Sequence, residues 1–502
     1  MKPLPGSIDQ AVARKPVRQL EPVRDRIAQG LLAHGIPGLA VAVARDGEIL
    51  WEEGIGWADR AAEQLATAHT PFSLASVTKP ITAAAVLMLA ERSLIDLDRP
   101  VGDYLGGLHL NAPIGSAADA TVRRIANHTA GLPLHYQFFY EDEPFRRPGI
   151  AETMRRYATV TTPPGERFNY SNLGYGILDR LISVVSGTDY PDFLRHQVFE
   201  PLGMRNSSVD PDAGSIEPAA TRYGADGVPY PYYDFDHPGG SAVFASAHDL
   251  LRFAMAHLGT PLPDQRGVLS DASRAMTHQD AVQSAVGARY GIGWGTIEDE
   301  GGYPTHGHTG AMGGVSTVLA IVPSEHIAVV VLSNGHSFLP QWARIEVLGA
   351  LLPGYEERKD EVAAMMLRQA MPPGEAPGPD VLGELSGVWE GSVETYQGAR
   401  PMSLDIRADA GIRARLGTQA QTPVDDIRWD GRRLVGVINC ELGTDDASRR
   451  LHHVVMDLRR RGDVLDGSVT ALTQLPDGEG GAPGRRAGNA LSHWVRLEAV
   501  GG

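Results

Sequence analysis

Ser76 and Lys79 stand three residues apart at the head of the apolar run PITAAAVLMLA, residues 80–90. On a helix that spacing puts both side chains on one face. A serine hydroxyl is a poor nucleophile until a neighbour takes its proton. A helix N-terminus adds a backbone N–H and a positive dipole end where an oxyanion would form. Only four of the 45 basic residues are lysine, namely Lys2, Lys15, Lys79 and Lys359. Arginine serves equally on a solvated surface but holds its proton too tightly to act as a base, so a solitary lysine points to use of the neutral amine. The bland alternative is a serine at a helix start beside a solvated lysine.

Two further groups could join such a pair. Tyr170 and Asn172 lie two residues apart just before an apolar helical pattern. A phenol near a lysine can shuttle a serine proton, and an asparagine can hold the lysine and a substrate carbonyl; helix capping and packing explain the same residues without chemistry. The stretch THGHTGAMGGVST, residues 305–317, precedes a strand-like segment. His306 and His308 would share a strand face as a metal pair, but no third ligand is indicated. A dinucleotide loop would need to sit between strand and helix. On an edge strand facing a cleft, His308 would point at substrate and N–H groups beyond Gly310 would face an acyl oxygen.

The elements that must position these residues follow from periodicity. A helix is expected over 17–34, then a β-hairpin around Asp46-Gly47, a helix over 80–94, and further helices over 172–186, 191–197 and 247–258. Strands are expected over 289–297, 314–322 and 327–333, followed by a helix at QWARIEVLGALL. The early hairpin and late strands would form one sheet, with a largely helical region inserted between its halves and a cleft where the two meet. Residues 371–380, MPPGEAPGPD, read as linker, and short alternating segments from about 385 onward read as a small antiparallel barrel. The expected organisation is a catalytic domain over 1–360, a linker over 361–383 and a barrel domain over 384–502.

With 502 residues, 42% of them hydrophobic, the chain can bury a substantial core. Its net charge of −16 has no block of Lys and Arg to match a phosphate backbone, so no nucleic-acid partner is expected. No segment runs eighteen apolar residues and the N-terminus lacks signal-peptide features, so a cytoplasmic protein without a membrane partner is expected. The lone cysteine, Cys440, excludes an internal disulfide and reads as a bystander in an apolar stretch.

Taken in order, Ser76-Val77-Thr78-Lys79, Tyr170-Ser171-Asn172 and His308-Thr309-Gly310 resemble the three motifs of the serine β-lactamase and penicillin-binding-protein superfamily, in its class C β-lactamase-like branch. NHTAGLPLH (127–135), PPGERFNYSNLGYGIL and GGSAVFASAHDLLRFA (239–254) extend the resemblance over about residues 20–350. The C-terminal part resembles lipocalin-like modules appended to some serine hydrolases. The resemblance implies an α+β fold: an antiparallel sheet flanked by helices, an all-helical region with Ser76 at their interface, and a small β-barrel behind.

The resemblance also implies roles. Ser76 would be the acylated nucleophile, Lys79 and Tyr170 would share base and acid work, and Asn172 would orient them. The oxyanion hole would be the N–H groups of Ser76 and Ala311. His308 would complete the catalytic set, and His135, Thr309 and Gly310 would bind substrate. No metal or cofactor is implied. Histidine replaces the lysine usual in the third motif, which weakens an anchor for a substrate carboxylate. Relatives with this replacement include esterases, D-amino-acid amidases and acyl-transfer enzymes. The expected function is therefore a serine acyl hydrolase acting on a small-molecule or peptide ester or amide. The alternative is an acyltransferase or penicillin-binding-protein-type thioesterase or peptide cyclase passing the acyl group to an amine in natural-product biosynthesis. A β-lactamase, a DD-peptidase and a non-catalytic binding module rank below both.

Overall fold

Residues 12–210, 217–370, 374–409, 411–473 and 488–500 are described by a computed structural model of the chain. Residues 1–11, which carry part of the signal-peptide reading, and 371–373 of the expected linker lie outside the described residues. On either side of 371–373, the span 361–383 is largely helical, with helices over Lys359–Ala370 and Pro379–Glu384.

The alternation AVAVA builds the centre of the molecule. It lies on strand β2 (Gly38–Arg45), which turns at Asp46-Gly47 into β3 (Glu48–Asp59). Both turn residues have positive φ, 51° and 82°, the two-residue turn whose twist matches paired strands. Leu39, Val41 and Val43 face one side of the sheet with α1 (Glu21–Ala33) and the C-terminal helix Leu339–Leu351. Ala40, Ala42 and Ala44 face the other, in the core shared with the helical region. Both faces are covered, so both alternating sets are apolar.

β2 pairs along its whole length with the late strand Ile327–Ser333, joining the two halves of the sheet as expected. A short strand, β4 (Phe72–Ser73), leads into the Ser76 turn and pairs with β5 (Phe244–Ala245) outside the main sheet. The main sheet continues through β6 (Val282–Ala285), β7 (Ala288–Tyr290), β8 (Gly295–Glu300), β9 (Tyr303–Met312), β10 (Val315–Val322) and β11 (Ile327–Ser333). With β1 (Val12–Arg14) its order is β1-β3-β2-β11-β10-β9-β8-β7-β6, ten strands in all when Gln64–Leu65 beside β3 is included.

One expected strand, residues 289–297, is two. Gly291 N–H donates to the Trp294 carbonyl at 2.8 Å, and Gly293, at φ 80°, packs so tightly that a Cβ there would lie 2.4 Å from Ala83 Cβ. The glycines let the chain turn against helix α2 (Thr78–Glu91) and bury Trp294. Helices α3 (Asn172–Ser186) and α4 (Ala247–Leu258) have the expected bounds.

Eight antiparallel strands from Gly387–Thr395 to Ala490–Val500 close into a barrel. Their inward positions, among them Leu404, Leu434, Met456, Leu458, Leu465 and Leu497, are at most 1% exposed. No described helix is long and apolar enough to cross a membrane.

Candidate active site

Ser76 lies in a tight turn over Ala75–Val77, one turn before α2 proper. Ala75, just before it, has φ 47°, a conformation that costs a non-glycine residue about 1 kcal/mol or more and is found where structure over-determines the backbone. Two contacts hold the turn. Thr317 Oγ1 of β10 donates to the Leu74 carbonyl at 2.8 Å, and Leu74 N–H donates to the Val243 carbonyl at 2.9 Å.

Lys79 enters from the first turn of α2 and is fully buried. Its Nζ is 2.9 Å from Ser76 Oγ, 2.7 Å from Asn172 Oδ1 and 2.9 Å from the Gly240 carbonyl oxygen. Burial holds its pKa well below the ordinary 10.5. The two oxygens can only accept, so a neutral amine spends both hydrogens on them and turns its lone pair to Ser76 Oγ. Tyr170 O–H lies 2.9 Å from the same Oγ. Burial pushes its pKa up, against the Ser76 hydrogen bond, so the phenol keeps its proton and donates.

The Gly239-Gly240 segment is pinned to serve Lys79. Gly239 N–H donates to buried Asp179 at 2.7 Å and its carbonyl accepts from Thr82 Oγ1 at 2.6 Å. A Cβ on Gly239 would lie 2.4 Å from the Tyr175 carbonyl, and one on Gly240 3.1 Å from that of Asn172.

His308 stands on β9 beyond Tyr170, ring centroids 6.5 Å apart. Its Nδ1 is 2.7 Å from the Thr309 carbonyl and must donate there, which leaves Nε2 to accept from Tyr290 O–H at 2.9 Å. Burial lowers its pKa to about 3, so the ring is neutral. Gly310 is where β9 meets the nucleophile turn: a Cβ would be 2.2 Å from the Leu74 carbonyl oxygen and 3.1 Å from Ala75 Cβ. Thr309 and Ala311 on either side are exposed.

The structure thus brings Ser76, Lys79, Tyr170 and Asn172 into one hydrogen-bonded cluster, with His308, Thr309, Gly310 and Ala311 on the adjoining strand. His135 is placed differently. It is 1% exposed, its Nε2 is 2.6 Å from Asp236 Oδ2, and its ring lies 4.3 Å from that of Tyr157. It is buried against Asp236, which also bonds His237 Nδ1 at 2.8 Å, and no hydrogen bond links it to the Ser76 cluster among the described residues. His306 is also held away, bonded to Thr296 Oγ1 at 2.9 Å and stacked on His278 at 3.6 Å.

Sequence reasoning gave no role to His128, Tyr175, Tyr290 or Gly240. His128 has φ 62°, accepts Ser171 N–H at Nδ1 (3.1 Å), and lies 4.4 Å from the Tyr170 ring and 4.8 Å from that of Tyr290. Burial holds its pKa well down, so it supports Tyr170 as a neutral platform. The only available signal was its place in NHTAGLPLH.

The barrel closes on the same loops. Tyr136 and Ala490 exchange backbone bonds of 3.0 and 2.8 Å, and Asn489 Oδ1 accepts Phe138 N–H at 2.9 Å. Just before Tyr170, Glu166 pairs with Arg461 at 2.8 Å and Arg167 with Asp457 at 3.1 Å.

A β-lactamase family model matches residues 23–351, the span that contains every residue of this cluster. The chain belongs to the β-lactamase family. Its relatives include penicillin-binding protein 4 of Amycolatopsis lactamdurans, 30% identical over 376 residues, 71% of this chain and 94% of that protein. Another is esterase EstB of Burkholderia gladioli, 32% identical over 336 residues, 57% of this chain and 83% of that one. In fold, the octameric penicillin-binding protein homologue from Pyrococcus abyssi superposes with a TM-score of 0.58 at 19% identity, covering 94% of this chain and 99% of that one. The closed C-terminal barrel fits a lipocalin-like domain added to the β-lactamase-family unit.

Proposed function

We propose that the protein is a serine acyl hydrolase that works through an acyl-enzyme on Ser76 and acts on an ester or amide of a small molecule or peptide. The observation that carries this reading is the Ser76 Oγ environment, with Lys79 Nζ and Tyr170 O–H each at 2.9 Å. Neutral Lys79 takes the Ser76 proton as Oγ attacks the acyl carbonyl. The Ser76 and Ala311 N–H groups receive the developing oxyanion. Tyr170, relayed by the lysine it adjoins, returns a proton to the leaving group; water then releases the acyl group with the roles reversed. Asn172 keeps the lone pair of Lys79 aimed at Ser76. His308, neutral and facing Tyr290, offers no cation for a carboxylate, which favours a neutral acyl substrate over a β-lactam. The relation to EstB supports the esterase form.

Acyl transfer to an amine is a second reading. The acyl-enzyme chemistry itself supports it, since an amine can take the place of water in the second step.

A fluorophosphonate probe is expected to label the wild-type protein and a p-nitrophenyl ester to be cleaved by it, with Ser76→Ala abolishing both. Turnover retained in Ser76→Ala would overturn the serine mechanism. Partitioning of the acyl-enzyme between water and added amines separates hydrolase from transferase.

A further inference from the structure

Outside the Ser76 cluster, three side chains of metal-ligating type converge at the far end of the β4–β5 ribbon. Glu52 lies on β3, opposite Ala42, and so faces the α4 side of the sheet. His248 is in the first turn of α4, and His69 is in the loop leading into β4. One ligand atom of each lies within 4.8 Å of the other two. The Glu52 Oε2 to His248 Nδ1 distance is 2.7 Å, and the two imidazoles are 4.6 Å apart and tilted by 55°, converging instead of stacking face to face. Among the described residues this is the group of three such side chains with that mutual spacing.

The donors suit a borderline cation. Two imidazoles and one carboxylate form a ligand set of tetrahedral zinc, with metal–ligand distances of about 2.0–2.2 Å and ligand atoms roughly 3.3 Å apart. The observed spacing brackets that separation. Glu52 is 8% exposed while both histidines are half-buried, which gives a buried anionic base and a solvent path for entry. The His69 ring takes no hydrogen bond among the described residues, so a ring nitrogen is open to a ligand. The loop is held independently of any ion: His248 N–H donates to the Ala68 carbonyl at 3.0 Å, and His69 N–H to Thr67 Oγ1 at 3.1 Å.

We infer that Glu52, His69 and His248 form a binding site for one divalent transition-metal ion of the zinc type, with a fourth position left to water. The site is separate from the acyl chemistry but tied to it by the ribbon. β4 has His69 before it and Ser76 after it; β5 has Gly240, which anchors Lys79, before it and His248 after it. The pairs Phe72 with Ala245 and Ser73 with Phe244 lock the two strands. Binding would therefore fix β3, the loop before the nucleophile and the start of α4 to one another, a structural role.

The test is zinc itself, added to full-length protein stripped with a chelator. One zinc per chain is expected at micromolar concentration, with a raised melting temperature and, for cobalt, a visible spectrum of nitrogen and oxygen ligation without thiolate charge transfer. His69→Gln and His248→Gln are expected to weaken uptake at least about 100-fold, while His278→Gln, in the other histidine cluster, leaves it unchanged. Fluorophosphonate labelling of Ser76 should survive in His69→Gln. Failure of wild-type protein to take up stoichiometric zinc, or equal uptake by both variants, overturns the site. Because stoichiometry, melting shift and cobalt spectrum are read on the wild type, they decide the matter even where a variant fails to fold.

Discussion

At Lys79, side-chain identity matters more than charge. Arginine at this position would keep a cation beside Ser76 but would not give up its proton, whereas buried Lys79, with its pKa well below 10.5, is available as the neutral amine. Lys79→Arg is accordingly expected to lower the acylation rate by about 10²–10⁴-fold, the usual worth of a positioned base. Stopped-flow measurement of acylation by a p-nitrophenyl ester checks it, and near-wild-type acylation would remove Lys79 from the base role. The importance of Lys79 was legible in the sequence because lysine is so scarce around it. The positions of His135 and Tyr290 were not. A histidine after GLPL can turn toward a cleft or under it, and here buried Asp236, held ionised by His135 and His237, decides the direction. Tyr290 is one of 15 tyrosines, and nothing local marks it as the partner of His308.

Between elements, the contact that decides the site is the approach of β9 to the turn carrying Ser76. Gly310 permits it, since any side chain there meets the Leu74 carbonyl oxygen at 2.2 Å, backbone that cannot swing aside. Gly310→Ala is expected to push β9 outward, carrying the Ala311 N–H away from Ser76. Loss of one oxyanion donor costs about 10²–10³ in kcat. Steady-state kinetics should show that fall in kcat with fluorophosphonate labelling slowed but present; unchanged kcat would exclude Ala311 as a donor. At this scale the sequence was most readable where periodicity was strict. The AVAVA strand, its two-residue turn and helices α3 and α4 all follow from local pattern. The break in residues 289–297 does not, because Gly291 and Gly293 turn the chain in response to α2, a surface distant in sequence. For the same reason the helix expected from Pro80 begins at Thr78 and is preceded by the separate Ser76 turn.

Across the whole molecule, histidines buried in neutral form set the response to acid. Burial lowers His257 and His308 to about 3 and His306 and His493 to about 4. With an unfolded value near 6.5, the unfolded chain binds more protons between those limits, so stability is full above about pH 6.5 and falls as pH drops toward 4. His257 and His493 are at most 8% exposed; at pH 5 each costs about 2 kcal/mol, at about 1.4 kcal/mol per pKa unit. Asp179, raised to about 7 by burial, acts oppositely and gains stability as pH falls through the same range, as do Asp249 and Asp466, but the histidines held neutral, which also include His128, His237 and His278, outnumber them. His493 sits where the barrel meets the catalytic unit, its ring 5.5 Å from Tyr157 and 6.2 Å from Tyr396, both bonded to Asp446. Charging it disturbs the seam that also holds Glu166 and Arg167, residues just upstream of Tyr170. Denaturant midpoints should therefore drop between pH 7.5 and pH 5. His493→Gln should flatten that dependence by about 2 kcal/mol over the same interval, and an unchanged slope in the variant would show that the seam histidine is already charged in the folded protein.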